Sequence, residues 1–508
     1  MTTSPPSLRS SAIANYLGQG WAAIMGIAFL PLFVEALGVE SYALIGFFAV
    51  LQVWMGMLDL GLTPTLNREM ARLRAGAHTP RSIRDLLRSL EYVCATLVVI
   101  AVAGLWGAAE WLATRWLKLE GLSPGVVVEA FRVMAFVLGI RLVEQIYRGA
   151  LQGAHDQVWL NQVSALLATL RWGGAYVVVT RVSPDISSFF MWQGAISIIT
   201  TASLALRTYR ILPPAAGRGR FDTAALNEVY HFARGMFLGS VLSFLLTQVD
   251  KLAVSKLLPL SELGFYTLAA TVAGGLMQLV TPLTTAIFPR LTVQVANHDQ
   301  AGLRRTYLLS CEWMAAIIVP PSMVLAVFPD LVLTAWTGNA ALVASVAPLL
   351  AILVLGNLAN ALVNVPYMLQ LAHGWTSLSV WVNVAAVTAF VPLVLWAVPR
   401  FGGQGAATMW LALNLAYLLL GVHFMYRRLL SETKWLWYRD AVLLPVAAGA
   451  ATALLLRLAA PAGLTRVEAG VFAAGAGLVV LAAVVVVLPL VRQSLATALV
   501  VRLRPSRT

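Results

Sequence analysis

The chain predicts an all-α, polytopic membrane protein of about fourteen transmembrane helices, on three observations. Of its 508 residues, 59% are hydrophobic and 11% charged, and the mean hydropathy is +0.80, whereas soluble domains hold roughly 45–50% apolar residues. Apolar runs long enough to cross a ~30 Å hydrocarbon core recur from end to end, and no hydrophilic stretch between them could fold as a soluble domain. The runs are continuously apolar and do not alternate with period two, so helices are expected and barrel strands are not.

The spans read in order as 11–34, 42–61, 90–113, 125–147, 158–180, 186–207, 235–257, 262–288, 306–328, 343–369, 376–398, 405–426, 440–460 and 467–491. The first carries Asn15, Gln19 and Trp21 behind a single basic residue, Arg9, without the compact apolar core and small-residue cleavage site of a signal peptide. Cys94 and Cys311 fall inside spans, and the six His are scattered without metal-ligand spacing. Neither a disulfide framework nor a metal site is therefore expected, and no cofactor.

Loop charges give the orientation. With both termini on one side, that side collects 24 of the 35 Lys and Arg, the opposite side holds 6, and the remaining 5 lie inside spans. By the positive-inside rule both termini are expected in the cytoplasm. The net charge of +13 is thus mostly topology and needs no nucleic acid. Basic loops such as 67–89 are expected to be solvated, with anionic headgroups as a second neighbour.

A weak internal repeat divides the chain. LGVESYALIGFFAVLQ (37–52) resembles LPLSELGFYTLAATVA (258–273) at an offset of 221 residues, each an acid-containing turn followed by an aromatic-rich helix entry. Six spans plus six in one orientation follow, with two more at the end. The expected organisation is 1–210, a cytoplasmic linker 211–234, 235–430, two additional spans within 440–491 and a basic tail 492–508. Like-oriented halves suggest a rocking carrier with a cleft along the membrane normal.

Charged groups inside a bilayer cost about 2.5–3.5 kcal/mol each on insertion scales and usually face a cavity or a partner. Arg171, near the middle of the fifth span, has no acid on its own helix. In the fourth span Arg141, Glu144 and Arg148 share a face at i, i+3 and i+7, suited either to tying helices together or to a functional ladder, with Arg132 about half a turn round and nearer the outer end. Asp250 and Lys251 are adjacent in the seventh span, about 100° apart. Lys251 can snorkel outward, while Asp250 needs a wetted cleft or a cation from another helix. Asn357, Asn360 and Asn364 form a stripe on the tenth span, echoed by Asn414 and Tyr417 in the twelfth and by Asn15 and Gln19 in the first. Amide stripes suit sugar hydroxyls, and they also serve as packing glue.

The stretches MLDLGLTPTLNREMARLRAG (57–76), IYRGALQGAHD (146–156) and QVDKLAVSKLLPLSELGFYTLAA (248–270) resemble the polysaccharide transport family, the Wzx-type flippases of the multidrug/oligosaccharidyl-lipid/polysaccharide exporter superfamily. The resemblance implies a V-shaped core of two six-helix lobes and a polyprenyl-diphosphate-linked oligosaccharide as cargo, flipped to the outer leaflet of the bacterial inner membrane. It further implies a basic central cavity, to which Arg171, Arg132 and Lys251 correspond by charge and depth, with Asn357, Asn360, Asn364, Asn15 and Gln19 as further substrate contacts. Asp250, Asp59, Glu144 and Arg141 are the candidates for coupling or gating, with H+ or Na+ as possible coupling ion. Membrane lipids and other polysaccharide-assembly proteins are the remaining expected partners. No acid stands in the middle of the first span, where many proton-coupled drug exporters have one, which disfavours the alternative of an ion-coupled exporter of small amphiphiles or drugs. The external loops are short, which disfavours a glycosyltransferase or polymerase.

Overall fold

The computed structural model describes residues 18, 20–22, 24–59, 61–74, 76, 78–214, 219–223, 241–242 and 244–503. These residues are helical throughout apart from turns and one isolated bridge between Lys118 and Pro259. The helices are α1 (Gly20–Leu37), α2 (Val39–Met57), α3 (Leu62–Arg74), α4 (Pro80–Trp116), α5 (Pro124–Gly153), α6 (Gln157–Val182), α7 (Ile186–Ile211) and α8 (244–257). They continue as α9 (Leu260–Ala296), α10 (Gln300–Val327), α11 (Pro329–Thr337), α12 (Ala340–Ala372), α13 (Ser377–Tyr426), α14 (Ser431–Leu458), α15 (Arg466–Val487) and α16 (Pro489–Leu503).

Eleven helices among the described residues are long and apolar enough to span a membrane, and the protein is an all-helical multi-pass membrane protein. The difference from fourteen lies in three places. α5 is 30 residues long but carries Glu129, Arg132, Arg141, Glu144 and Arg148. α13 is two helices joined at Gly402, whose φ of 61° and ψ of −148° break the helix where a side chain would be strained. The predicted span 235–257 is only partly described.

The chain folds as two compact units, Met1–Gly264 and Phe265–Thr508. In the first, α5 is the central helix: Val127, Ala130, Phe131, Met134, Val137 and Leu138 are fully buried. Its glycines set the close approaches. A side chain at Gly139 would meet Val98 and Val102 of α4, one at Gly149 would come within 2.6 Å of the Thr63 carbonyl, and one at Gly153 would collide with the Asn67 carbonyl. Gly149 and Gly153 are a small-xxx-small pair that lets the backbone of α3 lie directly on α5. Two of the three stretches that carry the family resemblance thus pack on each other.

Residues 67–89, predicted as a solvated basic loop, form most of α3 and the first turns of α4, with the Arg68, Arg72 and Arg81 side chains still exposed. Their charges explain why: Glu69, with 1% of its side chain exposed, gathers Arg68 at 2.6 Å, Arg72 at 3.0 Å and His78 Nε2 at 2.7 Å. Burial works to raise the Glu69 pKa, but the hydrogen bond from His78 and then the two guanidinium groups outweigh it and hold the carboxyl below its ordinary value. Thr79 and Ser82 close a reciprocal capping box that starts α4 at Pro80.

Both copies of the internal repeat grip one loop. Glu40 accepts the backbone N–H groups of Glu120, Gly121 and Leu122 at 2.8–3.0 Å, and Ser261 donates to Glu120 at 2.6 Å.

The second unit is built on α10, which packs against α12, α14 and α15. Tyr307 and Tyr426 share a buried hydroxyl contact of 2.6 Å, and buried Glu312 accepts the N–H groups of Leu490 and Val491 that open α16. Arg457 forks onto Asp330 at 2.8 and 3.1 Å.

Candidate functional site

Four charged side chains of the first unit come together between α5, α6 and α7. Glu144 and Arg148 lie one turn apart on α5 and pair at 2.7 Å. Arg171, from α6, reaches the other Glu144 oxygen at 3.8 Å and Thr200 of α7 at 3.5 Å. Arg141 stands one turn before Glu144; it donates to Gln52 of α2 and, at 2.8 Å, to Gln193 of α7, and its guanidinium stacks 4.9 Å from the Phe48 ring centre. Three guanidinium groups face one carboxylate, so the cluster keeps an excess of two positive charges. Of the predicted ladder Arg141, Glu144 and Arg148, the Glu144–Arg148 rung is paired and Arg141 bonds glutamines instead, while Arg171 reaches Glu144 from the neighbouring helix.

Pairing inside the cluster is incomplete. Arg171 Nε and Gln193 Nε2 are both buried donors without an acceptor among the described residues, although Gln193 is only 2% exposed. Burying an unpaired donor is costly.

Arg148 also forms part of the wall of a cavity of about 320 Å³ at the Gly153 end of α5, lined in addition by Asn67, Gln152, His155, Gln157 and Asn161. Asn67 donates to Gln152 at 3.5 Å across it. His155 adopts a positive φ of 57°, which ends α5 and turns the chain into α6.

Arg132, Lys251 and Asp59 make contacts with residues outside this cluster. Arg132 is exposed, its guanidinium 5.4 Å from the Trp106 ring centre. Lys251 turns back along its own helix to the Thr247 carbonyl at 3.1 Å and Gln248 at 3.4 Å, rather than reaching outward, while Asp250 is buried. Asp59 accepts the Thr63 N–H at 3.1 Å and its hydroxyl at 2.7 Å, anchoring the start of α3. In the second unit the amides are engaged with other helix groups: Asn357 accepts from Trp410 at 2.9 Å, Asn360 donates to Asn414 at 2.7 Å, and Asn364 donates to the Asn360 carbonyl. The first two of these contacts join α12 to α13. Asn15 and Gln19 lie outside the described residues.

Sequence reading missed Gln52, Gln193 and Thr200. A signal was present, since Gln193, Ser197 and Thr200 recur at i, i+4 and i+7 on one face of α7, and all three are buried.

Comparison with known proteins places these features. The family described as polysaccharide biosynthesis protein matches residues 128–346, a range that contains the whole charged cluster. A Shigella flexneri protein named as an O-antigen transporter is 22% identical over 433 residues, covering 84% of this chain and 99% of the relative. A second protein so named, from Salmonella typhi, is 21% identical over 55% of this chain and 63% of its own. In fold, the chain is similar to the lipid II flippase MurJ in an inward closed conformation, with a TM-score of 0.72 at 11% identity over 92% of this chain and 97% of that one. It is also similar to an inward-facing multidrug resistance MATE family transporter of the MOP superfamily, with a TM-score of 0.63 at 14% identity over 81% and 96%. The family match and the two relatives agree with the resemblance read from the sequence, and the solved structures show the shared fold.

Proposed function

We propose that this chain, a relative by sequence of polysaccharide exporters, is a flippase that moves a lipid-diphosphate-linked oligosaccharide from the cytoplasmic to the outer leaflet of a bacterial inner membrane. Both termini then lie in the cytoplasm, as the loop charges predict. The observation that carries this reading is the excess of two positive charges held by Arg141, Arg148 and Arg171 around Glu144, the one carboxylate in their cluster among the described residues. A diphosphate diester has about two negative charges and would complete that balance, and planar guanidinium groups bind phosphate oxygens by paired, charge-assisted bonds.

The cluster also gives the cargo a route to coupling. When phosphate draws Arg148 and Arg171 away from Glu144, the carboxylate loses its partners and can take up a cation, H+ or Na+. The membrane potential adds its own drive, about 2.3 kcal/mol per charge per 100 mV for an anion moving outward. The protein then alternates between states open to either leaflet, and the cargo shifts that equilibrium only as far as it prefers one state.

Complementation tests the reading. Arg171→Ala should insert normally and abolish surface polysaccharide in a strain lacking the gene; undiminished polymer would remove Arg171 from the site. A second reading, export of small amphiphiles, draws on an apolar cavity of about 340 Å³ in the second unit, lined by Val382, Phe390, Leu413, Tyr417 and Phe424 along α13. It requires that deletion of the gene sensitise cells to cationic dyes while leaving surface polymer unchanged.

A further inference from the structure

The cavity beside Arg148 has a wall chemistry unlike that of the cluster. Its polar groups are the amides of Asn67, Gln152, Gln157 and Asn161, the imidazole of His155 and one guanidinium; among the described residues no carboxylate lines it. The nearest acid in sequence, Asp156, is drawn to Arg207 at 2.6 Å, and the Arg207 guanidinium stacks 5.3 Å from the Trp159 ring centre. The cavity's shape is fixed by backbone contact, because Gly149 and Gly153 bring α3 onto α5 and so set Asn67 opposite Gln152.

We propose that this cavity is the subsite for the sugar joined directly to the cargo's diphosphate. The inference rests on the flippase reading and adds to it the recognition of the first sugar. Amides offer donors and acceptors together, which is what neighbouring hydroxyl groups require, whereas a second phosphate site would need more than one cation. The volume stands at the low end of the ~300–1,000 Å³ of small-molecule sites, room for about one or two sugar rings but not for a long glycan. Arg148 belongs to both places: one guanidinium nitrogen holds Glu144 in the cluster, and the side chain walls the cavity. A diphosphate bound at Arg148 and Arg171 would thus direct its attached sugar toward Gln152 and Asn161.

The test uses the full chain in nanodiscs and two probes that differ by the sugar: farnesyl diphosphate, and farnesyl diphosphate carrying one hexose. Gln152→Ala should weaken binding of the sugar-bearing probe about 5–10-fold, the effect of one lost hydrogen bond, and leave farnesyl diphosphate unchanged. Arg171→Ala should weaken both probes. Equal weakening of both by Gln152→Ala, or of neither, overturns the sugar subsite. If Arg171→Ala affects neither probe while Gln152→Ala still discriminates between them, the phosphate reading of the cluster fails and the sugar subsite survives. Should Gln152→Ala not fold, judged by its melting temperature, Asn161→Ala on α6 takes its place with the same expected and contrary results.

Discussion

The guanidinium of Arg171 stops 3.8 Å from the carboxylate of Glu144. That carboxylate is already held at 2.7 Å by Arg148, so Arg171 contributes charge to the cluster without a tight partner. Each residue should accordingly answer differently to mutation. Arg171→Met should change stability by no more than about 1 kcal/mol, since it gives up only a loose 3.8 Å pair and also removes a buried, unpaired donor, yet remove transport. Thermal melting in detergent and surface-polymer assays on the same variant would check this separation, and a large fall in melting temperature would contradict it.

Glu144→Gln should do the reverse to stability. Only 6% of the Glu144 side chain is exposed, and the substitution leaves three guanidinium groups facing one another without their only carboxylate. The expected loss is on the order of 3 kcal/mol, the lower end for breaking a buried pair. It should show as a melting temperature below that of Arg171→Met.

Gly153→Leu should destabilise the first unit by about 1–3 kcal/mol, the usual cost of overpacking. Any side chain there meets the Asn67 carbonyl and Met70, so α3 must lift from α5. Gly104→Leu, where nothing lies within 4 Å, should melt as the wild type does.

The amide stripe of α12 can be tested by a double-mutant cycle between Asn360 and Asn414. If the pair joins helices, as the 2.7 Å bond indicates, the coupling should be about 0.6 kcal/mol and at most ~1.7. Loss of transport in both single variants at unchanged stability would instead support the sugar-binding role expected from sequence.

Acid should loosen α3. The Glu69 carboxyl is held below its ordinary value, so its contribution to stability is fully present above the usual carboxylate range, near pH 4.3. It is lost as pH falls through the depressed folded value, because the unfolded chain takes up the proton first. Melting temperature against pH should therefore fall more steeply for the wild type than for Glu69→Gln below about pH 4.5.

Some of these relationships were legible in the sequence. The ladder Arg141, Glu144, Arg148 follows from helical spacing, and Arg171 stands out because an ion at that depth in an apolar run needs a reason. The sequence did not reveal that Arg171 and Glu144 meet, since they lie on different helices and no periodicity links them. Nor did it separate the amides by partner: Asn357 meets Trp410 and Asn360 meets Asn414, whereas Gln52 and Gln193 bond the Arg141 guanidinium. Arg132 and Lys251 stood out by charge and depth, but their neighbours, the Trp106 ring and the Thr247 carbonyl, were not legible in the sequence.

Sequence alone determined the medium, the helical class and the presence of costly ions within it, because transfer of apolar and charged groups into hydrocarbon depends on composition along a local window. Only the tertiary structure decided which of those ions share a site. That outcome turns on backbone approach and helix rotation, here on glycines that let α3 touch α5 and on the face that α7 presents to Arg141 and Arg171. Contacts between residues distant in the chain are set by packing, which no local pattern specifies.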